Sequence, residues 1–210
     1  MYKLNYFTEE DSEKVTAFMK ENSFAVICGK GDTFPVATHI PLKIQPENGK
    51  MIFTGHIMKN TDHHKTFLKN ETVLVIFNGP HCHISASWYT PPNVASTWNY
   101  ITIHAKGRIR FGDEVFTRKL VEELTNKYES PESEAAFNKL PVEYVDRLVK
   151  AIVGFTIDVE SIDNVFKLSQ NHDETTRKSI IAHLNKNGSD DEKQIAMEME
   201  QRIGMPKQTK

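Results

Sequence analysis

Cysteine is close to absent from this chain: only Cys28 and Cys82 occur in 210 residues, each inside an apolar run, and no C-x-x-C or evenly spaced set accompanies them. That excludes a disulfide framework and a structural zinc site, and the two thiols read as ordinary reduced core residues. A surplus of positive charge is missing too. Lysine and arginine total 26 against 28 aspartate and glutamate, a formal charge of −2, so there is no basic excess to neutralise a phosphate backbone and strong nonspecific DNA binding is disfavoured. No stretch approaches the roughly 20 apolar residues of a membrane span, and Met1-Tyr2-Lys3-Leu4-Asn5-Tyr6-Phe7 lacks the apolar core of a secretory signal. The expectation is a cytoplasmic protein with no membrane partner. Familiar catalytic signatures are also lacking: there is no G-x-S-x-G elbow, H-E-x-x-H, P-loop or G-x-G-x-x-G. Gly29-Lys30-Gly31 runs into Asp32 and Thr33 without a following helix and reads as a hairpin turn.

What is present is enough apolar material, 39% of the chain, for one sizeable core. Thr8 stands before Val15, Phe18 and Met19 at helical spacing, which predicts a helix capped by Thr8 and running to about Glu21. Periodicity then shifts to that of strands over 24–29, 34–44, 50–57, 72–78, 81–88 and 98–111, bounded by Gly, Pro, Asn and Asp. Short helices are expected over 60–68 and 113–128, and another after Pro141 that buries Val145, Leu148 and Val149. Residues 151–159 and 164–168 return to strand character as a closing ribbon. The expected fold is mainly β with peripheral helices: a split β-barrel over 1–171 and a C-terminal helical pair over 172–210. The pair is 174–186 and 190–203, with Ser189 and Glu192 spaced as a capping box.

Three segments could carry chemistry. In Phe53-Thr54-Gly55-His56-Ile57-Met58-Lys59-Asn60-Thr61 a strand delivers polar residues to a helix N-terminus, whose unpaired N–H groups, with Lys59, can hold a terminal phosphate. A plain solvated turn is the alternative. Both tryptophans fall in Ser85-Ala86-Ser87-Trp88-Tyr89 and Thr97-Trp98-Asn99-Tyr100, a mixture able to flank a planar ring and bond its polar edge, or to pack as core at a barrel end. Lys167, Ser169 and Gln170 form a polar turn near the end of the barrel. His81 and His83 share one strand face while Cys82 takes the other, suiting hydrogen bonding or, less readily, a metal or haem.

The order of these motifs, with Ala37-Thr38-His39-Ile40-Pro41-Leu42, Phe77-Asn78-Gly79-Pro80-His81, Ala151-Ile152-Val153-Gly154-Phe155 and Lys167-Leu168-Ser169-Gln170-Asn171, resembles the PaiB family of FMN-binding transcriptional regulators. The resemblance implies a flavin-reductase-like split barrel, a homodimer and an FMN cofactor near the subunit interface. Lys59, Asn60 and His56 would then face the phosphate, and Thr38, His39 and Thr54 the ribityl chain or ring edge. Ser85, Ser87, Trp88, Trp98 and Asn99 would surround the ring, with Lys167, Ser169 and Gln170 approaching from the C-terminal ribbon of the same or the partner subunit. Family members often carry arginine after the Gly-His pair, where this chain has Ile57-Met58-Lys59. A regulatory flavin sensor is the reading so implied; an FMN-dependent oxidoreductase and a haem-binding barrel stand as alternatives. DNA contact is implied by the family, but the last helix sets Asp190, Asp191, Glu192, Glu198 and Glu200 against Lys193 and Arg202, a poor balance for meeting phosphates.

Overall fold

The computed structural model describes residues 1–204 apart from Lys3, Asn48 and Asn93. Seven strands form one sheet in the order β2-β1-β5-β6-β7-β4-β3, with β1 Phe24–Gly29, β2 Val36–Pro41, β3 Lys43–Glu47, β4 Lys50–Met58, β5 Thr72–Ile84, β6 Thr97–Phe111 and β7 Ile152–Lys167. The helices are α1 Ser12–Glu21, α2 Asp62–Lys69, α3 Glu114–Tyr128, α4 Val142–Ala151, α5 Glu174–Asn187 and α6 Asp190–Glu200. Among the described residues no helix is long and apolar enough to cross a membrane.

Two compact units divide the chain. One comprises residues 19–77 and 104–162, the other 1–18, 78–103 and 163–210, and the long strands β5, β6 and β7 each contribute to both.

In the first unit β1 pairs antiparallel with β2 and β5, and β4 with β3 and β7. Alternation places Phe53 and Ile57 of β4 and Val73, Val75 and Phe77 of β5 in the core, where Phe53 meets Phe77 edge to face at 5.3 Å. Helix α2 lies against β2 and β1, and α3 across β4 and α4. Local chemistry starts each helix: Asp113 accepts from the Phe116 N–H at 2.8 Å, and Thr61 caps α2.

In the second unit Ile101, Ile103, Phe166 and Leu168 are buried, as are Ile180, Leu184, Ile195 and Met199 of the helical pair. The capping box of Ser189 and Glu192 is formed as the sequence predicts. Glu9 and Arg202, both largely buried, bond at 2.8 Å, and Asn164 exchanges two hydrogen bonds with the Glu9 backbone.

Several boundaries differ from the sequence reading. Asp11, not Thr8, caps α1, accepting from the N–H groups of Glu13 and Lys14; Thr8 instead ends a 3₁₀ turn over Asn5–Phe7. The 34–44 run is two strands separated at Leu42, and the expected break at Asn78-Gly79-Pro80 is continuous strand. The glycine there is used for close packing: a Cβ on Gly79 would lie 2.3 Å from the Phe18 ring. The closing ribbon is a single 16-residue strand. In α4, Val145 and Val149 are buried but Leu148 is 41% exposed.

Candidate functional site

The sequence-predicted residues fall into two groups, one in each unit. In the first, β4 runs into α2 through Lys59 and Asn60, the latter at φ 66°. This left-handed residue reverses the chain so that its own N–H donates to His64 Nδ1 at 3.1 Å. Thr61 Oγ1 accepts from the His64 N–H at 3.3 Å, and Asp62 Oδ1 from the His63 N–H at 2.7 Å. Lys59 Nζ donates to the Lys150 carbonyl at 3.1 Å. The start of α2 is therefore a set of donors already holding acceptors, one of them a carboxylate. Its positive field is legible in Asp62, whose carboxyl the His63 N–H holds below its ordinary value. Burial pushes the His64 imidazole down, and the neighbouring His63, Lys59 and Lys65 add to that. The adjacent histidines diverge, His64 packing on Phe111 edge to face at 5.1 Å and His63 bonding Thr61 Oγ1 at 3.0 Å. Thr38 and His39 lie on β2, against which α2 packs, with His39 stacked on Phe24 at 6.2 Å.

Thr54 and His56 point to a different feature. Alternate residues of β4, they share a face and line a cavity of about 650 Å³ with Leu42, Leu120, Leu124 and Lys127. Thr54 is 7% exposed, and its hydroxyl has no hydrogen-bond partner among the described residues. Burial pushes the His56 imidazole below its ordinary value of 6.5. The unfolded chain then binds more protons than the folded one between the lowered and the ordinary value. Stability is thus present above about pH 6.5 and is lost as pH falls through the folded pKa. We expect the melting temperature of the wild type to fall more steeply between about pH 7 and pH 5 than that of His56→Gln; parallel curves would remove His56 as a source of acid sensitivity.

In the second unit Asn99 is fully buried. Its amide donates to Ser169 Oγ at 3.0 Å and to Met199 Sδ at 3.5 Å, while its carbonyl accepts from Ser169 Oγ at 3.2 Å. Ser169 stands at φ 61°, and Gln170 bonds back to the Phe166 carbonyl and the Leu168 N–H. Lys167 Nζ donates to Thr97 Oγ1, and burial lowers its pKa. Ser85 and Ser87 bond each other at 2.9 Å in the 3₁₀ turn Ala86–Trp88, and Trp88 stacks on His183 at 5.2 Å. Trp98 is 54% exposed, with the rings of His81 and His83 at 6.2 and 5.9 Å. Those two histidines face outward and Cys82 inward, as their spacing implies. Burial, with Glu192 and Asp191 adding, pushes the Cys82 thiol up to about 12, the state of an inert core residue. Among the described residues no cluster of three or more His, Cys, Asp or Glu could hold a metal.

Sequence reasoning missed the cavity's other walls. Leu120 and Leu124 recur at helical spacing within 113–128, which does not reveal the space between α3 and β4. Asp62, the anion at the start of α2, could have been noticed from its place directly after the capping threonine.

A family model described as "Putative FMN-binding domain" matches residues 1–161. The chain is 36% identical over 207 residues to "Protease synthase and sporulation protein PAI 2" of Bacillus subtilis, covering 97% of this chain and 98% of that protein. It is 30% identical over 210 residues to an uncharacterized protein of Emericella nidulans, covering 80% and 82%. Among solved structures it is similar to the flavocytochrome Anf3 from Azotobacter vinelandii, with a TM-score of 0.61, 14% identity, and 79% and 72% of the two chains covered. It is similar also to the FAD and heme binding protein from Mycobacterium smegmatis, with a TM-score of 0.57, 12% identity, and 76% and 73% covered. These structural likenesses bear on the fold, a split β-barrel, and the sequence matches on the cofactor, FMN. The chain belongs to the family described as "Putative FMN-binding domain" and is a relative of the PAI 2 protein of Bacillus subtilis.

Proposed function

We propose that this protein is a regulatory flavin sensor that acts as a homodimer, with the FMN phosphate held at the start of α2. The observation that carries the phosphate assignment is the occupancy of the α2 donors. The N–H groups of Asn60 and His63 already bind an imidazole nitrogen and a carboxylate oxygen, acceptors that stand where phosphate oxygens would. Asn60 and His63 would supply backbone donors, Lys59 the counter-charge, and Thr38 and His39 on the neighbouring strand contacts toward the ring edge. Thr54 and His56 line the cavity. The phosphate assignment uses residues of the first unit alone. FMN, when bound, supplies reversible redox chemistry; the chain's residues bind and orient it.

Exposed apolar side chains of the first unit, Phe24, Phe34, Met58 and Leu68 at 66%, 78%, 63% and 61% exposure, are available to a partner surface in this reading. The acidic α6 argues that regulation works through the dimer and not through a recognition helix on DNA. Sedimentation of the purified chain with FMN is expected to give a dimer, and the bound flavin is expected to stay oxidised with excess NADH. A monomer would remove the homodimer, and sustained NADH turnover would replace the sensor with an oxidoreductase.

The place of Asp62 yields a sharper test. Its carboxylate competes with a phosphate for the α2 N-terminus, an effect worth about 0.3–1 kcal/mol. Asp62→Asn is therefore expected to strengthen FMN binding by roughly two- to fivefold in fluorescence titration, and weaker binding would place the phosphate elsewhere.

A further inference from the structure

We propose that the cavity bounded by α3, β3 and β4 is a second ligand site, built for a small amphipathic organic acid. Three independent features of the first unit point there. Its volume, about 650 Å³, lies within the roughly 300–1,000 Å³ of small-molecule sites. Its walls are apolar, from Leu42, Ile44, Leu120 and Leu124, so they accept a hydrocarbon or aromatic body.

The second feature is the Thr54 hydroxyl. It lies on the cavity wall, more than nine-tenths buried and without a partner among the described residues. A buried hydroxyl left unbonded is costly, and a ligand group that bonds it recovers that cost. His56, two residues along the same strand face, adds a ring nitrogen on the same wall. Together they can bond one polar end of a ligand.

The third feature is the charge at the rim. Lys43 is neutralised by Glu123 at 2.7 Å, but Lys20 and Lys127 have no carboxylate partner among the described residues, and Lys127 sits over the Tyr128 ring at 5.0 Å. Two unpaired cations at the edge of an apolar cavity select an anion. The ligand class is accordingly an organic acid with an apolar body and a hydrogen-bonding group distant from its anionic one. In a regulatory protein such a site would admit an effector distinct from FMN.

The test uses 8-anilinonaphthalene-1-sulfonate, an amphipathic aromatic sulfonate, titrated into the full chain with fluorescence detection. Saturable binding to the wild type is expected. Leu124→Trp, which fills the cavity from α3, should weaken it at least tenfold, and Lys20→Gln combined with Lys127→Gln about fivefold, with FMN affinity unchanged in both. The double lysine variant lies on the surface and remains informative where the tryptophan variant fails to fold. No binding to the wild type, or undiminished binding in a folded Leu124→Trp and in the lysine variant, would overturn the proposal. Parallel loss of FMN affinity would do so as well, by making the cavity part of the flavin site.

Discussion

Lys59→Ala combined with Asn60→Ala is expected to weaken FMN binding by about ten- to a hundredfold. Lys59 directly follows β4, where its ammonium bonds the Lys150 carbonyl, a neutral acceptor that an FMN phosphate would outcompete. A hydrogen bond to a charged group contributes about 1.5–3 kcal/mol, and each 1.4 kcal/mol is a factor of ten. Asn60 acts differently. Its left-handed φ of 66° is one that asparagine tolerates and alanine resists, so Asn60→Ala disturbs the turn that aims the N–H groups. Asn60→Gly, which keeps that conformation, is expected to restore most of the affinity lost through the backbone, leaving the lysine contribution visible alone.

Asn99→Ala is expected to act on stability. The side chain is fully buried, and its amide joins Ser169 and Met199, so it ties α6 and the turn after β7 to β6. Truncation leaves a small cavity and removes a buried polar partner, a combined loss of about 2–3 kcal/mol. For a chain of this size that corresponds to a melting temperature lower by roughly 5–10 °C. FMN affinity of the folded variant should stay within about twofold of wild type. A large loss of affinity with an unchanged melting temperature would instead make Asn99 a flavin contact. The adjacent Trp98, 54% exposed beside His81 and His83, offers the contrasting case of a side chain free to meet a ligand.

The features legible in the sequence were those decided within a few residues. The Ser189–Glu192 capping box forms as its spacing implies, and Thr61 and Asp113 cap α2 and α3 where helices are expected to begin. The outward His81 and His83 and the inward Cys82 follow from the two-residue period of a strand. Features decided by distant partners were not legible. Gly79 and Pro80 look like a break, yet β5 runs through them, and the Phe18 ring occupies the space a side chain at Gly79 would need. Thr8 and Asp11 are equally good caps by composition, and Thr8 is taken up by the preceding 3₁₀ turn. The polar character of Asn99 and Ser169 suggested a ligand edge, whereas their burial follows from the docking of α6, which no local pattern encodes.

The candidate site shows the same division. The Gly-His-to-Lys-Asn order marks the strand-to-helix turn, and the turn is there. That Thr54 and His56 line a cavity depends on α3 lying across β4. The lone hydroxyl of Thr54 becomes informative only when its surroundings are known, since a threonine in a strand is otherwise an ordinary residue.

The central claim, that the start of α2 holds FMN by its phosphate, is tested most directly by titrating FMN and then riboflavin, which lacks the phosphate, into the wild type and the Lys59→Ala/Asn60→Ala variant. The account predicts that the wild type binds FMN at least tenfold more tightly than riboflavin and that the variant binds both about equally. Equal affinities in the wild type, or a phosphate preference that survives in the variant, would contradict it.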